Sequence, residues 1–264
     1  MTMRPESELV PYAPGELPGD PVLVLAPHPD DEVFGCGGFL ALAADEDRRV
    51  TVTILTDGGA QGDPGVRREE SREAARRLGL PEPRFAGLAD RSLEPDGEAL
   101  LAALRSAIES VRPALVLLPS PAEIHPDHRA VALAVHALAV RGAIPPGARL
   151  ACYEVSAMLR PNLLLDVGAV WDRVLAAARA FGSQLGTHPY LEVLECAAQM
   201  RRLTLGPAVE RAEAYHVTDA ATAARLGLTG WAGRQGPVEG LEAEAGTRRP
   251  RRGWLARRLR SGRR

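Results

Sequence analysis

The chain has 264 residues, 45% of them hydrophobic, enough for one large domain with a substantial core. The formal net charge of −2 argues against a protein that binds nucleic acid by its overall charge. All 32 basic residues are arginine, which excludes lysine Schiff-base and lysine general-base chemistry.

Residues 1–20 read as a polar, proline-rich lead-in without the basic and apolar regions of a signal peptide. Residues 22–27 form a continuous apolar run, the signature of a strand buried on both faces. The segment 39–47 reads as a helix opened by glycines, and 50–56 as a second strand ending in Asp57-Gly58-Gly59. A charged helix over 64–78 has Pro64 near its start and Gly79 just past its end. A short strand at 84–88 and an amphipathic helix over 96–111 follow. A second buried strand at 114–118 leads into an alanine-rich helix over 127–141. Residues 149–155 and 162–167 read as strands, and 169–181 and 190–203 as helices. Strands alternating with helices predict a single α/β domain of βαβ units around a parallel sheet over 21–220. Beyond 220 the pattern decays into an extension read as disordered, in which 248–264 carries nine arginines with Trp254, Leu255 and Leu259. That tail reads as solvated; the alternatives are a weak contact with an anionic membrane and nonspecific nucleic-acid binding.

The chemistry concentrates in two clusters. His28-Pro29-Asp30-Asp31-Glu32 follows the first strand, and Glu123-Ile124-His125-Pro126-Asp127-His128 follows the strand at 114–118. If these strands are neighbours in a parallel sheet, both clusters fall on the edge where ligands bind. Either cluster alone could be a structural or phosphate-facing loop; two at equivalent positions favour a metal hydrolase. Two neutral imidazoles and one carboxylate, His28, His128 and Asp31, suit a divalent cation and leave it a position for catalysis. Asp30 is then placed as general base. His125 would support an oxyanion or protonate the leaving amine, and Asp127 would hold His125 protonated. Among the remaining histidines, His136 reads as structural, His188 as a loop residue and His216 as a candidate pocket residue. Cys36 reads as a packed thiol.

Ala26-Pro27-His28-Pro29-Asp30-Asp31-Glu32 with Gly35, Gly37 and Gly38 resembles the opening motif of the PIG-L/LmbE-like zinc-dependent N-deacetylases. His125-Pro126-Asp127-His128 is similar to their second motif, and Thr56-Asp57-Gly58, Arg67-x-x-Glu70, Ser183-Gln184 and Glu213-Ala214-Tyr215 match weaker features. The resemblance spans roughly residues 20–217. It implies a Rossmann-like fold, a mostly parallel sheet with helices on both faces, together with one Zn²⁺ per chain, Fe²⁺ being an alternative, and removal of acetyl from an N-acetylglucosamine-type conjugate. Carried over, His28, Asp31 and His128 are the metal ligands, Asp30 the base, His125 the oxyanion-stabilising acid and Asp127 the residue that tunes it. Arg67 and Asp90 are implied to contact substrate. Glu123 stands where mycothiol-pathway deacetylases carry a mobile tyrosine, and the acidic residue that some members have near Gly59 is absent.

Three other readings compete with the sugar deacetylase. A deacylase of another amide, such as an antibiotic or a lipid-linked sugar, would be decided by the loops at 58–65 and 156–165. A non-catalytic sugar-binding homologue would have no need for Asp30. A nucleotide-binding Rossmann domain would carry a G-x-G-x-x-G after the first strand, which is lacking. Three widely spaced cysteines, Cys36, Cys152 and Cys196, and the lack of any apolar run near membrane-spanning length predict a cytoplasmic protein.

Overall fold

The computed structural model describes residues 5–236 except Asp96 and Pro146. One seven-stranded sheet runs through it in the order β3-β2-β1-β4-β5-β7-β6. β1 (Val22–Ala26), β2 (Val50–Thr56), β3 (Arg84–Leu88), β4 (Leu115–Pro119) and β5 (Arg149–Tyr153) are parallel. β7 (Ala212–Asp219) pairs antiparallel with both β5 and β6 (Leu163–Asp166). Among the described residues no helix is long and apolar enough to cross a membrane.

Both faces of the sheet are covered, which is why its central strands are apolar at every position. Val22, Val24 and Ala26 of β1 join Leu115 and Leu117 of β4 in one core. Leu23 and Leu25 join Val116 and Leu118 in the other. The first core lies under α1 (Asp31–Asp45), α2 (Pro64–Leu78), α5 (Trp171–Ala178) and α7 (Tyr190–Arg201). The second lies under α3 (Glu98–Val111), α4 (Pro126–Val140) and α8 (Ala220–Ala232). α6 (Gly182–Leu185) is a single turn between α5 and α7.

Three expectations need correction. The first helix starts at Asp31, eight residues before the expected position, and is kinked at Cys36 (φ −152°). Its glycines do not open the helix; they let it lie against the sheet. A Cβ on Gly35 would fall on the Tyr153 ring, and one on Gly38 on the Val167 side chain. The strand β7 was not anticipated: its burial pattern alternates too irregularly to show a period of two. The packed domain also continues past residue 220. α8 lies against α4, Trp231 is fully buried, and its indole stacks on His136 with ring centroids 5.3 Å apart. His136 Nε2 meets the Ala223 carbonyl at 3.1 Å, so this histidine joins two helices. Residues 237–264, on which the solvated-tail and membrane expectations fall, lie outside the described residues.

Candidate functional site

β1 and β4 are direct neighbours, and the chain crosses to opposite sides of the sheet from this pair. Their carboxyl ends therefore border the crevice where open α/β sheets bind ligands. After β1 the chain turns at Asp30, which takes φ 131°, a strained value for a residue with a side chain. Glu32 Oε2 accepts the Asp30 N–H at 2.9 Å, while the Asp30 carbonyl accepts the N–H groups of Val33 and Phe34. Asp31 thereby becomes the first residue of α1. After β4, His125 Nδ1 accepts the Asp127 N–H at 3.2 Å and caps α4, whose first turn carries His128.

Three donor atoms converge between these two segments. His28 Nδ1 lies 3.0 Å from Asp31 Oδ2, Asp31 Oδ2 lies 3.1 Å from His128 Nε2, and His128 Nε2 lies 3.3 Å from His28 Nδ1. A divalent ion with bonds of about 2.0–2.2 Å spaces its ligands roughly 3–3.5 Å apart, so the triangle fits one. A nitrogen of the half-buried His125 comes within 4.8 Å of those of His28 and His128, and its ring meets His28 edge-on.

The other face of His28 is held by two carboxylates. Its Nε2 lies 3.0 Å from Asp127 Oδ2 and 3.2 Å from Asp90 Oδ1. These acceptors keep the proton on Nε2 and leave the Nδ1 lone pair facing the triangle. Asp127 also accepts the N–H groups of Arg91 and Leu93, and Asp90 that of Ala60, so the loops after β2 and β3 brace the site. Burial opposes charge on both central imidazoles. The hydrogen bonds to Asp127, Asp31 and Asp90 overcome it at His28, and Asp31 with Glu123 raises His128 to about 9. Against burial, His128 and His28 hold Asp31 well below the usual carboxylate range. Asp30 goes the other way: burial and then Asp31 push it well up, opposed by Arg67 and His28.

The structure assembles His28, Asp30, Asp31, His125, Asp127 and His128 on one sheet edge. Three placements, those of Asp127, Arg67 and Asp90, differ from expectation. The Asp127 carboxylate bonds His28, not His125, and gives His125 only its backbone N–H. Burial, then His28 and His128, lower the His125 pKa, so the protonated His125 expected from the sequence is not what this arrangement favours. Arg67 is buried, and its Nη2 donates to Asp30 Oδ2 at 2.9 Å and to the Pro29 carbonyl, so it faces the carboxylate rather than open space. Asp90 sits behind His28. The sequence places Glu32 and Glu123 in the two clusters but assigns neither a role; Glu32 fixes the Asp30 turn, and Glu123 lies 3.4 Å from His128 Nδ1. His216 Nδ1 meets the Arg160 carbonyl at 3.0 Å, and Cys36 is buried in the core.

The family model for PIG-L, GlcNAc-PI de-N-acetylase, matches residues 23–139. A Bacillus subtilis protein named "Probable N-acetyl-alpha-D-glucosaminyl L-malate deacetylase 2" is 31% identical over 182 residues, 62% of this chain and 82% of its own. The chain belongs to the PIG-L family. The 2'-N-acetylparomamine deacetylase of Streptomyces fradiae is 30% identical over 233 residues, covering 70% of this chain and 82% of that protein. In structure, a conserved protein from Thermus thermophilus superposes with a TM-score of 0.65 at 32% identity, over 74% of this chain and 93% of the other.

The PIG-L match contains both histidine clusters, Arg67 and Asp90, and it ends in α4. What flanks the site lies beyond it. A groove of about 620 Å³ runs along α7, lined by Phe34, Val155, Met158, Tyr190, Val193 and Met200 among others. Its walls are mostly apolar. The Tyr190 and Phe34 rings lie with centroids 5.4 Å apart, and Phe34 and Gly35, which follow Asp30 and Asp31 at the start of α1, put this end of the groove beside the cluster. His188 is exposed in the loop before α7 and lines the same groove.

Proposed function

We propose that this chain is a single-metal N-deacetylase that hydrolyses the acetamide of an N-acetylated amino-sugar conjugate to acetate and a free amine. The observation that carries the reading is the triangle of His28 Nδ1, Asp31 Oδ2 and His128 Nε2, with the Asp30 carboxylate on the adjacent residue. Those three residues would hold the ion, Zn²⁺ or alternatively Fe²⁺, one per chain. Bound there, it supplies Lewis acidity to an acyl carbonyl and lowers the pKa of water.

The side chains divide the remaining work. Asp30 takes a proton from the attacking water; its raised pKa brings it towards the range where a general base works best. The same proton then passes to the nitrogen as the C–N bond breaks, so that one C–O bond replaces one C–N bond. His125 Nδ1 accepts the Asp127 N–H, so the neutral ring carries its proton on Nε2 and offers a donor to the oxyanion. Asp127 and Asp90 orient His28, and Arg67 fixes Asp30. The groove beside Tyr190 gives an apolar berth to the group attached to the sugar. The Bacillus and Streptomyces relatives, both named for N-acetylated amino-sugar substrates, support this substrate class. The free Cys36, Cys152 and Cys196 support a reducing, cytoplasmic setting.

The test is acetate release from a panel of N-acetylglucosamine conjugates, with chelated protein before and after addition of Zn²⁺ or Fe²⁺. Metal-dependent release is expected. Protein that binds one equivalent of metal and releases no acetate would overturn the reading.

A further inference from the structure

Glu123 is buried, and its carboxylate joins two things that the catalytic residues do not. On one side it gathers the backbone of the loop after β5. Oε1 accepts the N–H groups of Val155 at 2.7 Å and Ala157 at 3.3 Å, while Oε2 accepts the Ser156 N–H at 3.1 Å and its hydroxyl at 2.6 Å. Three consecutive N–H groups turned on one carboxylate form an anion-binding nest. Burial would raise this carboxyl, but His128, Ser156 and Val155 together hold it below its ordinary value.

On the other side Glu123 Oε2 lies 3.4 Å from His128 Nδ1. That nitrogen is buried and has no hydrogen-bond partner. Because His128 Nε2 belongs to the donor triangle, a neutral His128 that ligates through Nε2 must carry its proton on Nδ1. A buried N–H needs an acceptor, and the Glu123 carboxylate, 3.4 Å away, is within reach of it.

We propose that Glu123 is a positioning residue: it holds His128 in the ligating tautomer and, through the same carboxylate, fastens residues 155–157, a wall of the apolar groove, to the metal site. The proposal rests on the single-metal reading above and deepens it. Carboxylates behind metal-bound histidines change metal affinity by about 10–100-fold when removed. Glutamine keeps the shape of Glu123 but has a single acceptor oxygen. It cannot serve both His128 and the loop, and its NH₂ group faces other donors.

The experiment measures Zn²⁺ affinity directly, by competition with a chromophoric chelator, on wild type, Glu123→Gln and Ser156→Ala. Glu123→Gln is expected to lose about 10–100-fold in Zn²⁺ affinity and to shift the visible spectrum of the Co²⁺-loaded protein. Ser156→Ala removes one loop contact and leaves His128 alone, so it is expected to keep wild-type affinity while raising KM without lowering kcat. A purely structural role for Glu123 would lower Tm but leave the Zn²⁺ affinity and the Co²⁺ spectrum of folded protein unchanged, and that result overturns the proposal. Zinc-loaded wild type gives an answer that needs no variant. The His128 Nδ1 proton should appear in a ¹H–¹⁵N spectrum as a slowly exchanging resonance, and a rapidly exchanging or absent Nδ1 proton overturns the proposal. Wild type that binds no metal would instead sink the single-metal reading itself.

Discussion

Arg67 Nη2 and Asp30 Oδ2 meet at 2.9 Å, with both side chains nearly sealed from solvent. The guanidinium is the cation facing a carboxylate that has Asp31 and Glu32 beside it, and it also donates to the carbonyl of Pro29, just before the strained Asp30 turn. Arg67 thus sets both the direction and the charge of the proposed base.

Replacing Arg67 with methionine keeps bulk and removes the charge. The guanidinium lowers the Asp30 pKa, so its loss should raise it. The acid limb of kcat/KM should move to higher pH, and turnover at neutral pH should fall by roughly tenfold or more. The measurement is a pH–rate profile of both proteins at matched zinc occupancy. An unmoved limb with a raised KM would return Arg67 to the substrate-binding role expected from the sequence.

Asp30→Ala and His128→Ala should separate base from ligand. The first is expected to keep its metal and lose about 10²–10⁴-fold in kcat. The second is expected to lose metal affinity, along with the activity that added Zn²⁺ restores to chelated wild type. Metal analysis of the purified variants beside acetate-release rates decides both. Full activity in Asp30→Ala would refute the base assignment, and unchanged metal content in His128→Ala the ligand assignment.

Glu213 gives a pH-dependent stability. Its carboxylate accepts the N–H groups of Gly38 and Phe39 and the Tyr215 hydroxyl, and burial raises its pKa above the ordinary value of 4.5. The folded state then holds the proton more tightly than the unfolded state. Stability from this group is present below the unfolded pKa and declines as pH rises through the folded one. Glu213→Gln cannot titrate, so the stability difference should move in favour of the variant as pH rises above 4.5. Urea unfolding of both proteins across that range measures it; a pH-independent difference would show that Glu213 does not titrate differently on folding.

Trp231→Ala tests whether α8 belongs to the domain. Removing a fully buried tryptophan typically costs about 3–5 kcal/mol. The variant should therefore unfold at much lower urea than wild type. A midpoint within error of wild type would mean that α8 detaches at little cost.

The central sheet was legible because β1 and β4 are buried on both faces and read as unbroken apolar runs. Helices with a strong amphipathic period or with Pro and Gly at their ends, such as α2 and α3, fell within a few residues of expectation. Two devices hid the rest. The glycines of α1 looked like a break in the helix, because their purpose, close approach to Tyr153 and Val167, involves partners more than a hundred residues away. β7 and α8 have little local pattern, and their burial comes from β5, β6 and α4.

The sequence by itself determined the chemistry: which imidazoles and carboxylates are available, and that both clusters follow strands able to lie side by side. Residue type and position along a strand or helix are local properties, and once β1 and β4 pair in parallel they bring His28, Asp31 and His128 to one edge. Only the tertiary structure decided which partner each charged group meets. Asp127 turned to His28, Arg67 to Asp30, and Glu123 to both His128 and the loop at 155–157. Those choices depend on distances of a few ångströms between segments far apart in the chain, where burial makes each unpaired charge costly and lets geometry select its partner.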